Sequence, residues 1–304
     1  MLTRKAILML AVLVVLVVVP VLSFAQDTAA PSFTPEQLDK LVARIALYPD
    51  ALLAQVLAAA TYSDQIPDAA RWADQHHYLT GQALANAIQA DHLPWDPSVQ
   101  ALLPFPSVLE MMANDMSWTT DLGNAFLSQR QDVMDAVQRE RRKAKDYGYL
   151  RSNAQIIVSG GPYITIVPVH PAYIPVPYYD PAIVFFPPEP GIVVGDEIRF
   201  GFFVTIGDFF RPWGWGYCRL DWGSHVVIIN NAPWRRTWIN RHEYVHPYEI
   251  RRYGVGERLP ERHMLHERTE HERAAAPRGT RPRGRAPRSP LALTCFQGRK
   301  CWML

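Results

Sequence analysis

Five prolines fall in the fourteen residues from Pro168 to Pro181, set among β-branched and aromatic runs. Those runs are Gln155-Ile156-Ile157-Val158, Tyr163-Ile164-Thr165-Ile166-Val167 and Ile183-Val184-Phe185-Phe186. Each has the composition of a strand. A proline has no N–H to give to a sheet ladder, however, and is confined to edges, strand ends and bulges. No broad sheet can run through this stretch. It predicts short edge strands joined by extended connectors, with further strands over 192–206 and 225–230. Ser159-Gly160-Gly161 reads as a turn between two strands, and Trp213-Gly214-Trp215-Gly216-Tyr217 as a place where a sheet turns.

Upstream, residues 34–150 read as helices. Thr34-Pro35-Glu36-Gln37 supplies an N-cap, a proline at the first helical position and a capping-box glutamine. Leu38, Leu41, Val42 and Ile45 then follow helical spacing. After Tyr48-Pro49-Asp50 a second apolar helix begins with Leu52, Leu53, Val56, Leu57 and Ala60. Pro67, Thr80, Pro94–Pro97 and Pro104–Pro106 punctuate further short helices. The last helix, about Ser128 to Tyr147, ends in Arg139-Glu140-Arg141-Arg142-Lys143-Ala144-Lys145. Such a charge run predicts a solvated face, with cations suited to a helix C-terminus. Asp50 and Asp68 follow prolines and are expected to serve helix starts.

The ends have their own logic. Arg4 and Lys5, the apolar run Ala6–Val19, Pro20 and Ser23-Phe24-Ala25 form a secretory signal, with cleavage expected after Ala25. The apolar run is shorter than the roughly 20 residues that cross a bilayer. At the other end, Arg273–Pro290 carries six arginines and no acidic residue, amid repeated Pro, Gly and Ala. That composition cannot bury enough apolar surface to fold and predicts a disordered basic tail. Leu291–Leu304 turns apolar and holds two of the three cysteines, Cys295 and Cys301, the third being Cys218. Three cysteines make no disulfide framework. A shift of reading frame would produce such a switch, and the mass of the intact mature protein tests it.

Taken together, the expected class is α+β: a bundle of short helices (34–150), a small Pro-rich, aromatic-rich β domain (151–240) and a largely disordered polar and basic tail (241–304). A signal peptide (1–25) and a linker (26–33) precede them. Long stretches support a resemblance. They are LVARIALYPDALLAQVLAAATY (41–62), Trp72, WDPSVQALLPFPSVLEMM (95–112), WTTDLGNAFLSQRQDVMDAVQRERRKA (118–144) and ITIVPVHPAYIPVPYYDPAIVF (164–185). In these the chain resembles the secreted bacterial proteins catalogued as domain of unknown function 3300. The resemblance implies an architecture and an exported location, and it brings no catalytic residues. Pro175 and Pro177 depart from it by falling where a strand is expected to run on to Tyr178.

Function has two candidate classes. His242-Glu243-x-x-His246 has the spacing with which a helix presents two zinc ligands and a general base, with Glu267 as a third ligand. Pro247 pushes residue 246 off helical backbone, and Tyr244 and Val245 are indifferent helix formers. The zinc-dependent metallopeptidase, with Glu243 catalytic and Zn as cofactor, is therefore the alternative. The favoured reading has no cofactor and no catalytic residue. It is a non-enzymatic envelope protein that binds through aromatics such as Tyr173, Tyr178, Tyr179, Phe185, Phe186, Trp213 and Trp215. The expected partner is another envelope protein, a glycan or an anionic membrane surface. Basic residues are not interleaved with stacking aromatics on a folded platform, which argues against nucleic acid.

Overall fold

The capping box read at Thr34 is present in three dimensions. Gln37 N–H donates to the Thr34 hydroxyl (3.3 Å), and Thr34 N–H donates to the Gln37 side-chain oxygen (2.7 Å). This starts α1 (Pro35–Val42). The helices that follow are α2 (Asp50–Ala60), α3 (Ile66–Gln75), α4 (Gly81–Ala90), α5 (Pro97–Gln100), α6 (Pro106–Asn114), α7 (Met116–Ser128) and α8 (Arg130–Asp146). Prolines sit in the first turn of α1, α3, α5 and α6, where the missing N–H costs nothing. The computed structural model describes residues 29–170, 172–191, 194–195, 197–201, 204–205 and 218–247. All belong to the first of two compact units, Met1–Arg252. The signal segment, residues 213–217, Glu267 and the arginine run lie outside the described residues.

α2 is apolar except for Asp50 and Gln55, and ten of its eleven residues are buried, which makes it the axis of the fold. α5 and α7 pack on it from the helical side, and β2, β7 and β8 from the other. Gly123 of α7 lets the α2 and α7 backbones touch. A Cβ there would lie 2.6 Å from the Ala60 carbonyl carbon and 3.1 Å from Thr61 Cα. Helices and strands share one hydrophobic cluster, running from Leu38 through Leu57 and Phe126 to Ile166, Val227 and Trp234. The change at residue 151 is thus a change of secondary structure within one core.

The β part is a set of small antiparallel pieces, and the class is α+β. β1 (Ile156–Ser159) pairs with β2 (Thr165–Pro168) across the Ser159-Gly160-Gly161 turn. Prolines 175 and 177 split the expected continuous strand in two. β3 (Tyr173–Ile174) pairs with β6 (Val204–Thr205), and β4 (Pro177–Tyr178) with β5 (Arg199–Phe200). β7 (Arg219–Asp221), β8 (Val226–Ile229) and β9 (Ala232–Pro233) form a three-stranded sheet. Asn230 and Asn231, both at positive φ, make the two-residue turn between β8 and β9.

The run Ile183–Phe186 is not a strand. Asp180 accepts a hydrogen bond from Ala182 N–H (2.8 Å) and starts the short helix α9 (Pro181–Val184). An Asp-Pro pair is an N-cap followed by N1, and that local signal outweighs β-branched composition.

Side chains close the open edges of the β1–β2 hairpin. On β1, Val158 N–H donates to the Ser152 hydroxyl (2.9 Å), which donates back to the Val158 carbonyl (3.3 Å). On the β2 side, the Gln138 amide bonds both the N–H (2.8 Å) and the carbonyl (3.0 Å) of Ile164, as a neighbouring strand would. Ile166 N–H donates to Asp50 (3.3 Å). Gln138→Leu removes both partners of a buried backbone unit, and each unmet group costs roughly 1–3 kcal/mol. We expect a lower denaturation midpoint and faster amide exchange at Ile164, read by hydrogen–deuterium exchange.

The charge run on α8 is solvated only in part: Arg142 and Lys145 are exposed and Lys143 and Lys145 stand in the last turn, but two members turn inward. Arg141 is fully buried and Glu140 is 3% exposed. Arg141 donates to the Asp50 carboxylate (2.6 Å) and to the carbonyls of Ala46 (2.8 Å), Tyr48 (2.9 Å) and Ile164 (2.8 Å). Its guanidinium lies 4.9 Å from the Trp222 ring centroid, while Trp222 Nε1 donates to the other Asp50 oxygen (3.1 Å). Asp50 makes no side-chain cap to its helix. It is the anion of a buried ion pair joining α2, α8, β2 and the sheet that carries Trp222.

Candidate functional site

The segment 241–247 is irregular, a turn followed by extended backbone. His242 and Glu243 are exposed, whereas His246 is buried. His246 Nε2–H donates to the Ile229 carbonyl (3.0 Å), so in the neutral ring Nδ1 accepts a hydrogen bond from the Tyr244 hydroxyl (3.0 Å). Tyr244 in turn accepts from Arg235 N–H (2.9 Å). Trp234 packs against the His246 ring, with centroids 5.2 Å apart. Both ring nitrogens are occupied by the protein's own groups. His242 and His246 therefore do not converge, and Glu267 lies outside the described residues. Among the described residues, no group of three or more His, Cys, Asp or Glu could hold a metal ion.

This arrangement makes His246 a clip between the 241–247 segment and β8. Burial pushes its pKa below the ordinary 6.5, opposed by its bond to Ile229 and by the field of Asp96. A depressed folded pKa means that the unfolded chain binds the proton more tightly. The contribution to stability is whole above about 6.5 and is lost as the pH falls through the folded value. Melting midpoints are expected to drop further between about pH 7.5 and about pH 5.5 in the wild type than in His246→Gln.

The aromatic residues divide by role. Trp222, Trp234 and Phe185 are core. Tyr179 is a bolt: its hydroxyl donates to the Ala43 carbonyl (2.9 Å) and accepts from Leu47 N–H (3.3 Å), tying the Tyr178-Tyr179-Asp180-Pro181-Ala182 stretch to the end of α1. Tyr173 and Tyr178 are exposed (44% and 50%), on the separate strand pairs β3–β6 and β4–β5. Trp213 and Trp215 lie outside the described residues.

Where Tyr179 joins helices to strands, a groove of about 590 Å³ opens. Glu36, Asp39 and Lys40 of α1 form one wall, with Ala43 and Arg44 beyond it. Glu140 and Lys143 of α8, with Tyr147, form the second, and Pro181, Ala182, Phe185 and Phe186 the third. The lining is mainly apolar, and Phe186 stands 60% exposed at its rim. Most of the charges are spoken for: Lys143 pairs with Glu140 (2.6 Å) and reaches Asp39 (3.5 Å), Arg139 pairs with Asp39 (2.7 Å), and Arg44 with Asp115 (2.9 Å). Burial raises the Glu140 carboxyl above its usual range, and Lys143 opposes that rise. A mostly apolar hollow of this size suits binding. Of its lining, the aromatics Phe185 and Phe186 belong to the binding surface that the sequence suggests, and the residues of the two helical walls do not. The Asp180-Pro181 helix start, which builds the third wall, was the signal to find it.

The class is defined at this point: an α+β protein in which a helical layer and small β hairpins share a core, with a groove along their seam. The chain belongs to the family described as protein of unknown function (DUF3300), whose model matches residues 34–249. It is 33% identical over 205 residues to the uncharacterized protein YacH of Escherichia coli (strain K12), a match covering 54% of this chain and 33% of that protein. The chain thus spans about a third of the length of that relative. No solved structure matches it. Part of each groove wall (Ala43 and Arg44, Glu140 and Lys143, Pro181 to Phe185) falls in the stretches that carry the family resemblance.

Proposed function

We propose that this is an exported cell-envelope protein that acts by binding, as a structural or interaction component, with no catalytic step of its own. The observation that carries the reading is the seam groove. Its lining is mainly apolar, and four of its charged residues, Asp39, Arg44, Glu140 and Lys143, are held in ion pairs with one another or with neighbouring side chains. The signal-type N-terminus supports export, with maturation at Gln26. The arginine run 273–290 supports a further, salt-sensitive attraction to anionic envelope surfaces.

Cell fractionation and the intact mass of the mature protein test the export. Photo-crosslinking from position 173 or 178 in the native envelope tests the binding. Cytoplasmic retention, or no captured partner under several chemistries, would sink the reading. Stoichiometric zinc in the purified protein, with proteolysis lost in Glu243→Gln, would replace it with an enzyme.

A further inference from the structure

We propose that the seam groove is the contact face of a homodimer, in which Phe186 of each copy seats in the groove of the other. This deepens the binding reading above and rests on the groove being a docking surface.

An isologous contact uses one patch twice, so the patch must carry both knob and hollow. Here the two adjoin. Phe186 and Ile183 stand 60% and 46% exposed beside a hollow of about 590 Å³ that includes Ala43, Ala182 and Phe185. Exposed large apolar side chains next to a mostly apolar concavity are what a protein interface core requires.

Charge narrows the occupant to a second copy. The lining carries three acids, Glu36, Asp39 and Glu140, and three bases, Lys40, Arg44 and Lys143. A patch of zero net charge can meet itself without repulsion. The helical surface of residues 62–129 cannot: there the chain carries eight acidic residues and one basic residue, Arg71. Two copies approaching through that surface would place like charges together. Burying the groove also strands little charge. Glu140 is already covered and paired with Lys143 at 2.6 Å, and Asp39 is held by Arg139 at 2.7 Å.

The test is the mass of the full mature protein in solution by sedimentation, under reducing conditions so that Cys295 and Cys301 form no links. Wild type is expected to dimerise. Phe186→Glu should weaken the dimer by at least about 30-fold, and Ala182→Trp, which fills the hollow, should do the same. Both residues are exposed, so circular dichroism and the melting midpoint should stay at wild-type values. A photo-crosslinker at position 186 should join to the α1 or α8 peptides of a second copy. A wild-type monomer up to about 100 µM, or a dimer indifferent to both substitutions, overturns the proposal. A monomer that captures a different envelope protein from position 186 overturns the dimer and leaves the binding reading standing. Failure of export, or capture of nothing from any position, sinks the binding reading itself.

Discussion

Arg141→Ala is expected to lower stability by roughly 3–5 kcal/mol, enough to unfold much of the population of a typical domain at physiological temperature. Removing the guanidinium leaves the Asp50 carboxylate buried beside Trp222 with its cation gone. It also leaves the carbonyls of Ala46, Tyr48 and Ile164 without that donor. Asp50→Ala is expected to cost a similar amount, because it strands the cation together with Ile166 N–H and Trp222 Nε1. The double variant should be less destabilised than the sum of the singles, since each single already breaks the same pair. Arg141→Lys should recover only part of the loss. One ammonium cannot reproduce a planar fork that reaches a carboxylate and three carbonyls at once. Urea denaturation followed by tryptophan fluorescence measures all four. A wild-type midpoint in Arg141→Ala would show that the pair does not hold the two layers together.

Gly123→Ala is the second large effect. The added methyl would overlap the Ala60 carbonyl and press on Thr61 Cα, and both are backbone. No rotamer relieves that contact, so α7 must move off α2 along the length of the core. Overpacking of this kind costs about 1–3 kcal/mol where side chains can yield, and more where they cannot. We expect a destabilisation on the order of 3 kcal/mol, read as a lower urea midpoint with an unchanged m-value. An unchanged midpoint would mean that the helices sit farther apart than described.

Much of this architecture was legible in local signals. Thr34-Pro35-Glu36-Gln37 names its helix start outright, and the prolines between 168 and 181 limit the strands to two to four residues. The misreadings have one cause, which is that the partner is distant in the chain. Arg141 looked solvated because it sits in a run of charges. It nevertheless continues the buried stripe Val133, Val137, Arg141, Ala144, and its anion is 91 residues away. Asp50 looked like a cap because it follows a proline, when its contacts lie on α8, β2 and Trp222. Phe185 and Phe186 looked like strand because Asp180-Pro181 was weighed below composition. The groove was invisible for the same reason, since its walls come from three separate segments, residues 36–44, 140–147 and 181–186. No single window holds more than one of them.

The way the β1–β2 hairpin finishes its edges sets a limit on how this chain can be cut. Amide and carboxylate groups from α2 and α8 stand in for a missing third strand. The hairpin is therefore not a portable module. Severed at residue 150, the downstream half would present raw ladder groups to any neighbour and gather into aggregates, while the upstream half would keep the Arg141–Asp50 pair but lose the Ile164 carbonyl and the Trp222 indole that complete it. A fragment that keeps the hairpin finished must hold Asp50, Gln138 and residues 164–166 on one piece.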